Sequence, residues 1–480
     1  SFPLRLYPQH ISPLITKDHC SSLDIFGKEL LPRDKLQFLT LVPSLLQDFQ
    51  KEAYDEITSQ YRGQTLLQNQ DEHRLLQMSN IVYPMNDIPD DPKPLYGEAG
   101  FERCFHKHKR GSHIGYSYKQ EIVREHGEFL HRDILPQYSS KIADIINEID
   151  QSEGIVFVYS AWIKGGILPL MLALEQHGYR KYKSPEILEC EHKDEPISYN
   201  GLPQSKDPDF KQACYIVISG SGEGLTNDLA DELQALTCKE NSDGSQIKIV
   251  LGSKVASEGL DFKCVRSIHV MEPWHNLNRL EQVIGRGVRN CSHLNLSPEK
   301  RNTTIYLHTG YNGENETIET YLYRKSERKA RDIGDIEMIL KKQAIDQYLF
   351  QNMNHLTKYD VDTIKVQPAF RKSTIYETIP CDKPYSRVCS FQPDCGYIPR
   401  GFPMNHFKDW NKDTFHIEYS SGLTSVYKKR IQYLVSQELV FKIQHIKKRI
   451  IEYQQVYDEL LKEALYQIVS EKEMIYSCKG

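Results

Sequence analysis

The sequence predicts an α/β fold: a parallel sheet flanked by helices, with a helical region before it and a small helical or winged-helix-like module after it. Three observations carry this. Between residues 151 and 350, short apolar runs alternate with amphipathic stretches joined by short links, which implies a parallel sheet with helices on its faces. The runs are apolar throughout, as strands buried on both faces are. From 422 to 472 the pattern returns to helical periodicity. At about 100–200 residues per domain, the 480 residues of the chain accommodate a few such units.

The elements follow in order. Residues 1–150 read as a mostly helical region. Within it, "LPRDKLQFLTLVPSLLQDFQKEAYDEI" gives a strand and then a helix carrying Phe49, Tyr54 and Ile57. The basic run "RCFHKHKRGSHIGYSYK" holds Arg103, Lys107, Lys109 and Arg110 among histidines and aromatics. A nucleic-acid contact there competes with the simpler reading of a solvated loop. "GIVFVYS", "ACYIVISG", "IKIVLGS", "SIHVME" and "TTIYLHTG" are the five strands of the 151–350 region. "GILPLMLALEQHG", "LTNDLADELQAL" and "NLNRLEQVIGRGVRN" are helices between them, the first stopping at Gly178. Residues 351–421 are an irregular linker rich in proline and cysteine, and 422–480 form the helical C-terminal module.

Composition narrows the class. The chain is 39% hydrophobic and 26% charged with a net charge of −5, so any nucleic-acid site must be local. Eleven cysteines without a C-x-x-C pair argue against a secreted disulfide framework. Cys381, Cys389 and Cys395, with His406 downstream, are the one cluster that raises zinc, and they lack the tight pairs of structural zinc sites. The apolar stretch 155–174 is interrupted by Lys164, two glycines and Pro169, so it reads as strand, turn and helix, not as a membrane span.

The stretch that carries chemistry is "EQVIGRGVRN", residues 281–290. On a helix, residues three and four apart share a face, so Gln282, Arg286 and Arg289 are expected to point one way. Gly285 and Gly287 clear the space beside them, although each glycine costs roughly 1 kcal/mol against alanine inside a helix. The planar fork of arginine suits phosphate oxygens. The bland alternative is a pair of arginines bridging surface carboxylates. The loop "VLGSKVASEGLDF" at 250–262 precedes this helix by one strand.

Together these segments resemble a known family. Q-x-x-G-R-x-x-R following an E-G-L-D loop is similar to motifs V and VI of superfamily 2 helicases and translocases. "EPWHN" resembles the acidic–Pro–Trp–Asn turn of the Swi/Snf type, and "VYSAW" at 158–162 falls where motif IV lies. Residues 154–179, "DKPYSRVC" at 382–389 and "RKSERKARDIGDIEMILKKQAID" resemble the helicases of large DNA viruses, of the early-transcription-factor small-subunit and termination-factor types.

The resemblance implies a RecA-like second lobe. Arg289 would be the arginine finger, Arg286 its companion on the γ-phosphate, and Gln282 the link to nucleotide state. Gly259 and Asp261 would approach the ribose. Ser160, Gly220, Gly252, Ser253 and Lys254 would hold the phosphates of a DNA or RNA single strand. ATP and Mg²⁺ are the implied cofactors, both held mainly by a first lobe. No G-x-x-x-x-G-K-[ST] occurs in these residues, so that lobe is expected outside this chain, which alone should be inactive. "DEHR" at 71–74 imitates an acidic box but follows no apolar strand. The implied setting is viral transcription, in the host cytoplasm and virion, with viral RNA polymerase as a partner and no membrane. The alternative is a non-catalytic module that docks on nucleic acid or polymerase through the basic runs at 428–430 and 447–449.

Overall fold

The computed structural model describes residues 4–5, 14–110, 113–220, 229–254, 260–313, 315–344, 384–393, 421–437, 442–451 and 458–471. Two compact units are present, Ser1–Pro399 and Arg400–Gly480.

The strands of the larger unit are β1 (Leu4–Arg5), β2 (Val42–Leu45), β3 (Phe105–Arg110), β4 (His113–Tyr118), β5 (Ile155–Tyr159), β6 (Arg180–Lys181), β7 (Leu188–Glu189), β8 (Cys214–Ile218), β9 (Ile249–Gly252), β10 (Val265–Val270) and β11 (Thr303–Tyr311). Its α-helices are α1 (Asp48–Ser59), α2 (Asn69–Asn80), α3 (Gly97–Cys104), α4 (Gln120–His126), α5 (Ser140–Gln151), α6 (Leu168–Gln176), α7 (Leu229–Thr237), α8 (Leu277–Gly287) and α9 (Ile318–Gln343). The main sheet runs β1-β11-β10-β5-β9-β8-β6, with β2 also on β11. Every pairing in it is parallel. The five expected strands are all present, and β5 and β9 are buried along their whole length. One apolar cluster packs α5 and α6 against one face; a second packs α8 and α9 against the other.

Residues 1–150 fold with this lobe and do not stand apart as a helical region. β1 and β2 pair with successive stretches of β11. The basic run at 103–119 is a hairpin of β3 and β4, with β7 added parallel to β4, where a loop is the simpler expectation. Its base supplies Phe105, Tyr116 and Tyr118 to an aromatic cluster around Phe129 and Phe101. An aromatic floor of this kind is what turns a polar-looking segment into a sheet.

A buried polar knot fastens the early residues to the lobe. The Lys141 ammonium on α5 donates to Asn80 Oδ1 and to the Met271 carbonyl, each at 2.9 Å, and to the Glu319 carboxylate. Both side chains of that ion pair are fully buried. Glu319 also accepts from Ser79 Oγ at 2.6 Å and from the Gly310 amide. Beside the knot, His269 and His308 lie edge to edge, with Nδ1 of the first 3.0 Å from Nε2 of the second, and burial holds both well below the usual histidine range, His269 at about 3.

The smaller unit is three helices, α10 (Ser421–Gln437), α11 (Ile443–Ile451) and α12 (Asp458–Ser470). They close over a core that includes Tyr427, Ile431, Ile450 and Leu461. The expected irregular linker, residues 351–421, lies almost wholly outside the described residues, apart from 384–393 and Ser421.

Two expectations follow. Lys141→Met strands the Glu319 carboxylate without its counter-charge, and removing one partner of a buried pair costs about 3–5 kcal/mol. A urea titration should show the midpoint falling sharply; an unchanged midpoint refutes the role of the knot. Second, burial holds His177 down to about 4, and its Nε2 lies 3.1 Å from the Leu130 carbonyl. The unfolded chain therefore binds the extra proton first, so stability is lost as pH falls from about 6.5 to about 4, by roughly 3 kcal/mol from this group. His177→Gln should make the fall of the urea midpoint across that window shallower, the remainder coming from buried histidines such as His269 and His308.

Candidate nucleotide-facing and nucleic-acid-facing site

The carboxyl ends of β5, β8, β9 and β10 deliver the segments singled out in the sequence, as open parallel sheets generally place their binding loops. Glu272, one residue beyond Met271 at the end of β10, organises this edge. It is almost fully buried and accepts from Asn80 Nδ2 at 3.1 Å, Ser160 Oγ at 3.0 Å and the Ala161 amide. Burial pushes its carboxyl up, against those hydrogen bonds and the Lys141 charge.

That corrects the expectation for Ser160. Its hydroxyl is turned inward to Glu272 and to the Trp162 backbone, and the residue is 0% exposed, so it presents nothing to a strand of nucleic acid. Ser253 is also buried, with its amide donating to the Ile218 carbonyl at 3.0 Å. Gly252 lies within β9, its carbonyl accepting from the Ser160 amide at 3.1 Å. These three build the floor of the edge. Gly220 is exposed at the end of β8, and Lys254 is exposed. Gly259 lies outside the described residues, as do Cys381, Cys395 and His406 of the zinc candidate; among the described residues no group of three or more potential ligands gathers around a metal position.

On this floor stands a surface in which the sequence assigns a role to Lys254 alone. The Lys254 ammonium sits 5.6 Å from the ring centres of both Trp162 and Trp274. The Arg279 guanidinium lies 4.3 Å from the Trp274 ring and donates to Tyr159 Oη at 3.2 Å. His73 meets Trp162 edge to face at 5.0 Å. Burial, then the positive fields of His275 and Lys254, hold His73 below its usual range. The available signal was modest: two of only three tryptophans in the chain follow strands directly.

The arginine helix departs from expectation in one respect. α8 starts at the Asn276 cap, whose side chain accepts from the Arg279 amide, and ends at Gly287. Val288 leaves helical geometry at φ −113° and ψ 90°, so Arg289 follows the helix and does not share its face. The two arginines meet instead on one loop. Arg286 is half-buried and donates from Nη1 to the Leu260 carbonyl at 3.0 Å, while its own carbonyl accepts from the Phe262 amide at 3.0 Å. Arg289 pairs with Asp261, and both side chains remain about half exposed, at 52% and 53%. Gln282 is exposed on the outer side of α8.

The two glycines differ in purpose. A Cβ on Gly287 would lie 2.9 Å from Ile268 Cδ1 and 3.1 Å from Val265, so this glycine lets α8 settle on β10. Gly285 has nothing within 4 Å of that position and leaves the outer face clear. In the smaller unit, the basic runs are partly neutralised within it, Lys428 by Glu471 at 2.6 Å and Lys447 by Asp458 at 2.5 Å.

Known proteins bear on these features. The family described as "Helicase conserved C-terminal domain" matches residues 224–291. A candidate ATP-dependent RNA helicase of Acanthamoeba polyphaga mimivirus is 26% identical over 335 residues, 68% of this chain and 48% of that protein. A candidate helicase of Invertebrate iridescent virus 3 is 28% identical over 391 residues, 80% of this chain and 34% of that protein. An early transcription factor large subunit homolog of African swine fever virus is 26% identical over 244 residues, 51% of this chain and 21% of that protein. That name is of a large subunit, where the sequence resembled the small-subunit type. The chain thus spans between about a fifth and a half of the length of these relatives. Among solved structures, the C-terminal part of the Fun30 ATPase domain matches at 12% identity over 60% of this chain and 88% of that one, with a TM-score of 0.33. The chain thus carries a match to the helicase conserved C-terminal domain at residues 224–291, and over half or more of its length it is similar to helicases of large DNA viruses.

Proposed function

We propose that the chain is the second RecA-like lobe of an ATP-dependent helicase or translocase acting in viral transcription, and that the lobe bearing the phosphate-binding loop lies outside it. The observation that carries this is the end of α8. Two guanidiniums converge on the 260–261 loop there, one of them paired with an exposed carboxylate, beside the outer face left clear at Gly285.

The donor set fits a triphosphate. Arg289 offers a mobile guanidinium, Arg286 a fixed one with a buried Nε that has no hydrogen-bond partner among the described residues, and Gln282 an exposed amide. ATP supplies the phosphoanhydride bond, and Mg²⁺ belongs with an acidic pair on the first lobe. Arg289 stabilises the charge that develops on the transferred phosphoryl group, after leaving Asp261. Arg286 fixes the distance between α8 and the loop, and Gln282 reports nucleotide state along the helix. Asp261 lines the ribose side; Gly259, assigned to it by the sequence resemblance, lies outside the described residues.

The track for nucleic acid is the Trp162–Lys254–Trp274–Arg279 surface, with Gly220 at its margin. Aromatic faces and cations hold a single strand of DNA or RNA without reading its sequence. The name of one relative, an early transcription factor large subunit homolog, supports a role in viral transcription; viral RNA polymerase as a partner, and the host cytoplasm and virion as the setting, are what the sequence resemblance implies. No helix among the described residues is long and apolar enough to cross a membrane.

Two experiments test this. The 480-residue chain alone should release no phosphate from ATP. In the whole protein, Arg289→Ala should lower turnover about 10³-fold or more while ATP binding stays nearly intact; lost binding with retained turnover contradicts the assignment. For the track, a single-stranded oligonucleotide should quench tryptophan emission. Trp162→Ala and Trp274→Ala should each weaken binding by roughly 5- to 100-fold, as loss of one stacked base does. Equal affinity in all three proteins removes the proposed track.

A further inference from the structure

Residues 384–393 fold back from a distant part of the sequence onto the outer side of α8. The loop closes on itself through the Tyr385 amide to the Gln392 carbonyl at 2.7 Å and the Phe391 amide to the Ser386 carbonyl at 2.9 Å. Tyr385, Ser390 and Phe391 hold φ values of 58°, 51° and 55°. Side-chain-bearing residues keep such left-handed angles only where surrounding contacts over-determine them.

Those contacts come from two sides. Phe38 stacks with Tyr385 at 5.4 Å and with Phe391 at 5.8 Å. Ser390 is fully buried against Gly334, in the middle of α9, where a Cβ would fall 1.8 Å from the Ser390 carbonyl oxygen. A glycine inside a 26-residue helix weakens it, and this one opens the notch that seats the loop. Lys341 Nζ donates to Ser390 Oγ at 2.6 Å, and Gln392 Nε2 to the Arg331 carbonyl at 3.2 Å. From this base Arg387 reaches α8, pairing with Glu281 and lying 3.5 Å from Asn278 Oδ1. Glu281 and Asn278 sit three apart on one side of the helix, next to Gln282.

We infer that residues 384–393 are a clip that positions α8, and that Arg387 is a positioning residue for Gln282, Arg286 and Arg289. The loop is rigid because its base is locked, so the ion pair it extends adds a lateral hold on the outer side of a helix otherwise held by its apolar underside, its caps and the hydrogen bonds of Arg279 to Tyr159 and Arg286 to Leu260. Its effect on turnover rests on the reading of α8 proposed above; its effect on the helix does not.

The test therefore has two arms. In the 480-residue chain, hydrogen exchange of amides 278–287 should quicken about two- to fivefold in Arg387→Glu, the range an exposed pair allows, and more in Gly334→Ala, which blocks the notch. Exchange in β10 should not move. The charge-swapped double variant Glu281→Arg/Arg387→Glu should restore protection. Unchanged α8 exchange in both single variants overturns the clip. In the whole protein, Arg387→Glu should lower kcat about two- to fivefold with KM for ATP unchanged, and the swap should recover it. Quickened exchange with wild-type kcat overturns the positioning role. If Arg289→Ala also keeps full turnover, the reading of α8 fails while the clip stands on its exchange result.

Discussion

The structure depends on one buried charge. Lys141 enters the interior from α5 and meets Glu319 at the start of α9, Asn80 at the end of α2 and the Met271 carbonyl beyond β10. Four segments far apart in sequence end at one ammonium. Such a group adds little net stability over well-packed apolar side chains, because desolvating two charges offsets most of their attraction. Its geometry is directional, however. Each of its three donors has a single acceptor, and those acceptors fix where the chain ends of α2, β10 and α9 can lie. Leu and Ile in its place would fill the volume and leave that placement free.

The same knot reaches the candidate track through Asn80. This side chain accepts from Lys141 with its oxygen and donates to Glu272 with its nitrogen. Glu272 in turn takes the Ser160 hydroxyl and the Ala161 amide. Ser160 is two residues before Trp162, and Glu272 two before Trp274. The spacing between the tryptophans, and so the place of Lys254 between them, is set by a carboxylate buried beneath the surface. A surface that stacks bases needs rigid rings more than it needs many hydrogen bonds. The buried serine, asparagine and glutamate supply the rigidity.

Much of this could be read beforehand, for definite reasons. β5, β8, β9, β10 and β11 announced themselves because strands buried on both faces have no polar positions to blur them. The arginine helix was legible because its inner stripe of Leu277, Leu280, Val283 and Ile284 keeps helical spacing. Its end was not: Val288 breaks the helix by adopting extended geometry, and nothing in "GRGVRN" marks that residue as a stop. The roles of Ser160 and Ser253 escape a sequence reading because a hydroxyl at a strand end reads the same whether it faces solvent or the interior. The early residues read as a separate helical region because β1 is too short to show periodicity and the strand at β2 does not by itself reveal its sheet; what places both is their partner, β11, 299 residues from β1 and 266 from β2 in sequence. Trp162 and Trp274 lie 112 positions apart, a separation that local pattern cannot bridge.

The pairing of Arg289 with Asp261 explains why the helix can end early without losing its second arginine. Inside α8, Arg289 would be fixed to the helix axis and could move only with it. Placed on the turn that follows, it is anchored through Ser292, whose hydroxyl lies 3.3 Å from the Arg289 amide and 2.9 Å from its carbonyl, while the side chain pairs with Asp261 at the surface. An exposed ion pair is worth roughly 0.2–1 kcal/mol in water. That is enough to orient a guanidinium and too little to retain it against a phosphate that offers charge-assisted, paired hydrogen bonds. Arg286 has the opposite character, half-buried and bonded to backbone on both sides of its residue. One arginine sets the distance between loop and helix, and the other keeps the freedom to leave it.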